Sequence, residues 1–129
     1  MWTYAQKTGA LLRNGRARGT GYSGFDNGKN NPAMQGVPSV GPIPQGAWVI
    51  VGPPFNSPDH GPYALRLEPS VGTNLFGSSG FLIHGDSMEA RGCASRTIRE
   101  RVRQSGDTVL EAVAEFHTRD QDLPEAASA

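Results

Sequence analysis

"IPQGAWVIVG", Ile43 to Gly52, gathers Trp48, Val49, Ile50 and Val51 behind a Pro-Gln-Gly turn signal. Aromatic and β-branched residues in succession suit a pleated, half-buried surface, so this stretch predicts the strongest strand of the chain. C-terminal to it, "PPFNSPDHGP" (Pro53 to Pro62) reads as a turn-rich connector. "YALRLEP", Tyr63 to Pro69, then sets Tyr63, Leu65 and Leu67 against Ala64, Arg66 and Glu68, the alternation of a half-buried strand. "GFLIHG", Gly80 to Gly85, is apolar on both faces, as in a core strand.

N-terminal to the anchor stretch, Gly19 to Pro42 is dense in Gly, Asn and Pro and predicts a long loop with at most a short strand near Tyr22. Trp2 to Gln6 alternates, and "GALLRNG" follows a Lys-Thr-Gly turn, which together predict an opening hairpin. "TIRERVRQ", Thr97 to Gln104, places Ile98 and Val102 four apart among charges. This predicts a short amphipathic helix capped by Ser95 or Thr97 and closed at Ser105-Gly106, with its arginines forming a solvated face. "DTVLEAVAEF" returns as a final strand, and the last dozen residues read as a frayed polar tail. The expected class is mainly β with one short helix.

Composition agrees. The 129 residues include 17 glycines and 10 prolines, which favour short strands and turns in one domain. Twelve basic and twelve acidic residues cancel, so the bulk charge points to no nucleic acid. No apolar run approaches the ~20 residues that span a bilayer, so no membrane insertion is expected. The N-terminal stretch lacks the basic start, apolar segment and cleavage site of a secretory signal.

The chemistry concentrates in "GFLIHGDSMEARGCASR", Gly80 to Arg96, which holds His84, Asp86 and the single cysteine, Cys93. One cysteine cannot form an internal disulfide, and a thiol attacks only as thiolate, so it needs a base or cation beside it. A loop with Gly85 and Gly92 can fold back to bring His84 to Cys93. Asp86 can orient the imidazole, Arg91 and Arg96 can favour the thiolate or hold a substrate carboxylate, and the N–H groups of Gly92 to Ala94 can bind an oxyanion. Ser87 and Ser95 suit turn or cap positions. A zinc site from His84, Asp86 and Cys93 with His60 or His117 is the competing chemistry, but no paired-ligand spacing supports it. No metal and no cofactor is expected, and His60 and His117 read as surface residues.

"GPIPQGAWVI", "YALRLEP", "GFLIHGDS" and "RQSGDTVLEAV", with the opening "WTYAQKTGALLRNG…GYSG", resemble successive blocks of the L,D-transpeptidase-like effectors of type VI secretion systems. That family is distantly similar to YkuD-type L,D-transpeptidases. The similarity runs to about Phe116. It implies a single YkuD-like β-sandwich catalytic domain over residues 1–116, a tail over 117–129, and one short helix after the active-site loop. It implies a cysteine enzyme that cuts the L,D-peptide bond of peptidoglycan stem tetrapeptides. Carried over by position, His84 would be the base and Gly85-Asp86-Ser87 the surrounding loop; from the residues themselves Cys93 is read as the nucleophile and Asp86 as a further catalytic residue. Gly85, Ser87, Arg91, Gly92, Ser95 and Arg96 would line the substrate. Such effectors leave the cell without a Sec signal, act in the periplasm of a target cell, and have a delivery component and an immunity protein as partners.

The chain departs from the family at the nucleophile. Gly92-Cys93-Ala94-Ser95-Arg96 matches the family's Gly-x-Ala-Ser-x, which puts Cys93 at the variable position, with the expected Gly-Cys-Ile absent before Thr97. The other register makes Gly92-Cys93 the family's Gly-Cys, with a shortened loop before it. Three readings stay open: a relocated nucleophile, a non-catalytic wall-peptide-binding module of the same fold, or a chain lacking residues between Arg96 and Thr97. In the last case the Cα atoms of Arg96 and Thr97 would lie well beyond ~3.8 Å.

Overall fold

The computed structural model describes residues 1–38, 40–85 and 92–116. The opening hairpin is present as β1 (Trp2–Ala5) and β2 (Ala10–Arg13), with Tyr4 paired to Leu11. A third strand, β3 (Arg16–Thr20), turns back at Asn14-Gly15, where both residues have positive φ. Arg-Ala-Arg-Gly-Thr carries no apolar alternation, so the sequence alone predicts no strand there. Its side chains are mostly exposed, so pairing to β2 alone makes it a strand.

The anchor stretch forms β5 (Gly46–Ser57), which continues through the segment expected to be a connector. Prolines 53 and 54 are tolerated for two reasons. Beyond Ile50, whose N–H donates to the Thr108 carbonyl, the strand has no ladder partner on its β9 (Val109–Val113) side among the described residues, and its register against β6 (Gly61–Pro69) shifts between Val51 and Phe55. Only 58–60 form the turn. Leu82–Ile83 form β7, which pairs with β6 alone. The apolar pair expected in a core strand thus sits, half-buried, at a sheet edge.

The seven strands form one mixed sheet in the order β3-β2-β1-β9-β5-β6-β7, with β1 and β9 the parallel pair. Trp2, Leu11, Trp48, Ile50, Leu65, Leu67, Leu110 and Ala112 form its core. Over that core lie α1 (Arg96–Ser105) and a two-stranded ribbon of β4 (Tyr22–Ser23) with β8 (Gly92–Cys93). Val102 is buried and Ile98 packs beside it, as their spacing predicts. The Ser95 side chain accepts from the Ile98 N–H at 3.2 Å, and Gly106 closes the helix in the left-handed conformation. Gly19 lets α1 seat on β3, since a Cβ there would lie 2.5 Å from Ile98 Cδ1. α1 starts at Arg96 and runs on through Thr97. No described helix is long and apolar enough to cross a membrane.

The Gly/Asn/Pro-rich segment folds tightly on itself. Two 3-10 turns, Asp26–Gly28 and Pro32–Met34, are held by the Phe25 N–H donating to the Val40 carbonyl and by Asn31 capping Ala33. Gly28 packs so closely that a Cβ would lie 2.0 Å from the Val40 carbonyl oxygen. Gln6, fully buried, fastens this strap to the sheet: its amide donates to Ile43 O at 2.7 Å and Gln35 Oε1 at 3.1 Å, and its carbonyl accepts from Gln45 Nε2.

Candidate active site

β6 and β7 run antiparallel, so the chain leaving Ile83 heads back toward the start of β6 and the 58–60 turn. That path delivers His84 beside His60. The two imidazoles stack with centroids 4.2 Å apart and planes 23° from parallel. His84 is only 4% exposed. His60, expected at the surface, is half-buried, and its Nδ1 is enclosed without a hydrogen-bond partner among the described residues. The Ser57 hydroxyl accepts from the His60 backbone N–H and fixes the turn.

The geometry specifies which nitrogen of His84 is reactive. Its Nδ1 lies 2.8 Å from the Gly85 carbonyl, which can only accept, so the neutral ring carries its proton on Nδ1 and keeps the Nε2 lone pair. Burial lowers the basicity of His84 below the ordinary 6.5; the Gly85 bond opposes this, and the charges of His60 and Arg99 reinforce it. The imidazole is therefore neutral near pH 7, the form a general base requires.

The His84 carbonyl accepts from the Ala94 N–H at 3.0 Å, which pins the strand carrying Cys93 beside the strand that delivers His84. Cys93 itself is placed through its backbone, paired with Tyr22 in the β4–β8 ribbon. The same bond commits the Ala94 N–H, which was expected to help bind an oxyanion. The N–H groups of Gly92 and Cys93 are the remaining candidates.

Arg99 locks this arrangement from below. It is 5% exposed, and its guanidinium donates to the carbonyls of Tyr63 (2.9 Å), Ala94 and, more weakly, Pro62 (3.4 Å). The expectation that the helix arginines form one solvated face is thus wrong at this position. Arg99 lies three residues from Val102 and adjoins Ile98 on the buried side of α1, which was the signal available in the sequence. Gly85 must stay small here, since a Cβ would lie 3.1 Å from Arg99 Nη1.

A cleft of about 340 Å³ opens in front of the two histidines. Ser23, Gln35 and the Pro42–Pro44 strap form one wall, and Ser78 to Leu82 the other. Phe81 is steadied by an edge-to-face contact with Trp48 at 4.8 Å. Ser23 holds the strap in place, its hydroxyl accepting from Ile43 N at 2.8 Å.

Of the residues named from the sequence, His84 lines the cleft and Gly85 follows it, while the backbone of Gly92 and Cys93 is held alongside through the bond from the Ala94 N–H to the His84 carbonyl. Ser95 caps α1, and Arg96 is exposed, bonded to Glu100 at 2.9 Å and stacked over Tyr63. Neither lines the cleft. Asp86, Ser87, Arg91 and His117 lie outside the described residues, as does the 117–129 tail. Among the described residues no cluster of three or more His, Cys, Asp or Glu side chains is placed to hold a metal ion. Comparison with known protein-family models, characterised proteins and solved structures returns no match to this chain.

Proposed function

We propose that the chain is a peptidoglycan-modifying cysteine L,D-transpeptidase or L,D-carboxypeptidase of YkuD-like β-sandwich type, acting as a secreted antibacterial effector in the periplasm of a target cell. One observation carries the reading. A buried, neutral histidine with an unprotonated Nε2 borders a cleft, and its own backbone is bonded to the residue after the only cysteine.

In this mechanism His84 Nε2 takes the Cys93 thiol proton, and the thiolate attacks the carbonyl carbon between the diamino acid and the terminal D-alanine of a stem tetrapeptide. Backbone N–H groups of Gly92 and Cys93 steady the tetrahedral oxyanion. Collapse breaks the C–N bond; the amine of D-alanine takes the proton from His84 and leaves, and the acyl group stays on sulfur as a thioester. Water, deprotonated by His84, then releases the shortened peptide and restores the thiol. An amine acceptor in place of water gives exchange. Arg99 acts here as a positioning residue.

The test is release of D-alanine from disaccharide tetrapeptide by the full chain, beside Cys93→Ala and His84→Ala. Release by the wild type and its loss in both variants supports the proposal. Full release by Cys93→Ala overturns the nucleophile assignment. Binding without turnover favours the wall-peptide-binding module, the reading consistent with Cys93 at the variable position of the family pattern.

A further inference from the structure

The neutral overall charge conceals a strong local asymmetry at the opposite edge of the sheet from His84. Arg13 and Arg18 of the β2–β3 hairpin meet Arg101 of α1 there. Between hairpin and helix lies a groove of about 310 Å³, lined by Arg13, Arg18, Arg101, Gln104 and Ser105 over Trp2. Asp107 is the carboxylate bonded here, and it is already shared between the N-terminal amine at 2.6 Å and Arg13 at 3.4 Å.

The three lining guanidinia differ in how they are held. Arg101 is indexed by Nη1 donating to the Arg18 carbonyl at 2.6 Å, which leaves its remaining N–H groups for a ligand. Arg18 is exposed, and its guanidinium has no partner among the described residues. Arg13 lies over the Trp2 ring at 6.0 Å, and Trp2 is itself fixed by Nε1 donating to the Ser105 hydroxyl. Every cationic side chain lining this groove is arginine, whose planar fork matches a tetrahedral oxyanion in a way the point charge of lysine does not. Asp107 offsets Arg13, but Arg18 and Arg101 have no carboxylate partner among the described residues; their like charges repel, and a bound dianion would relieve that repulsion.

We propose that this groove is an oxyanion-binding site for a phosphate ester, remote from the candidate active site and independent of the function proposed for it. The phosphate sits between the Arg18 and Arg101 forks, and the Gln104 amide meets an adjoining oxygen. This groove and the His84 cleft share no lining residue, so a ligand here does not enter the His84 cleft.

The experiment titrates pyrophosphate, and separately vesicles of phosphatidylglycerol in phosphatidylcholine, into the full chain at 0.15 M ionic strength. The salt screens non-specific attraction beyond ~8 Å. Backbone amide shifts and vesicle sedimentation are the readouts. The proposal expects saturable shifts confined to the Arg18, Arg101 and Gln104 region and about a tenfold loss of affinity in Arg18→Gln, because each charge-assisted pair is worth at least that factor. Arg18→Gln removes no internal bond of its guanidinium, so folding is not at issue; Arg18→Gln/Arg101→Gln extends the series, with circular dichroism as its check. Binding of pyrophosphate alone identifies a free phosphate ligand, and binding of vesicles with the same variant sensitivity identifies a lipid headgroup. Absence of saturation with both probes overturns the proposal. So does a loss as large in Arg66→Gln, whose guanidinium sits over Phe55 elsewhere on the molecule.

Discussion

Replacing Arg99 with leucine tests the scaffold of the candidate site. The guanidinium joins the start of β6, through Pro62 and Tyr63, to Ala94 at the entry of α1. Hydrogen bonds from a charged donor contribute ~1.5–3 kcal/mol each, and the 3.4 Å contact with Pro62 adds less. Leucine leaves two carbonyls without their donor but relieves the desolvation of a buried charge and adds apolar packing. The expected net loss is ~3–5 kcal/mol. For a domain of this size ~1 kcal/mol moves the melting temperature by ~4 °C, so Arg99→Leu should melt ~12–20 °C lower. Thermal unfolding followed by circular dichroism, with urea unfolding as a second measure, reads this directly. Arg103→Leu, on the exposed side of the same helix, should cost less than ~1 kcal/mol and serves as control. A loss below ~1 kcal/mol for Arg99→Leu would refute the view that this side chain fastens the site together.

Further outcomes follow from the same geometry. Gly28→Ala should lower stability by ~2–4 kcal/mol, because the Val40 backbone must yield, whereas Gly52→Ala faces open space and should cost ~1 kcal/mol for its positive φ alone; chemical denaturation separates the two. The folded-state pKa of His84 is held below its unfolded value of 6.5, so the unfolded chain binds the proton first. Stability should therefore decline as pH falls below about 6.5, and His84→Phe should flatten that part of the stability profile. His60→Phe keeps a ring against His84 while removing its charge, so the His84 midpoint in a histidine NMR titration should rise. An unchanged midpoint would show that the stacked pair is not electrostatically coupled.

Much of the fold was legible because periodicity and capping are local signals. The strands around Trp48–Val51, Tyr63–Pro69 and Val109–Val113, the opening hairpin, and the helix from its Ser95 cap to Gly106 all announce themselves within a few residues. What escaped depends on pairing at a distance. β3 has no apolar alternation and exists because β2 offers an edge, and Pro53-Pro54 reads as a turn until the loss of the β9 partner and the register shift are seen. Likewise, Phe81-Leu82-Ile83 looks like a core strand because Phe81 and Ile83 pack on the core, although β7 pairs with β6 alone at the sheet edge. In the site, the strand-to-glycine transition identified His84. His60 did not stand out, because only the antiparallel β6–β7 register brings the 58–60 turn against it. Arg99 was hidden by the habit of assigning charges on an amphipathic helix to solvent, although its position next to the Ile98–Val102 stripe places it toward the core.

The central claim is that Cys93 and His84 together form and resolve an acyl-thioester. The direct measurement is intact-protein mass spectrometry of the full chain mixed briefly with disaccharide tetrapeptide and quenched in acid, with peptide mapping of any adduct. The account predicts an adduct equal to the substrate less D-alanine, mapped to Cys93, present in the wild type and missing in both Cys93→Ala and His84→Ala. D-alanine release with no adduct on Cys93, undiminished in Cys93→Ala, would contradict it.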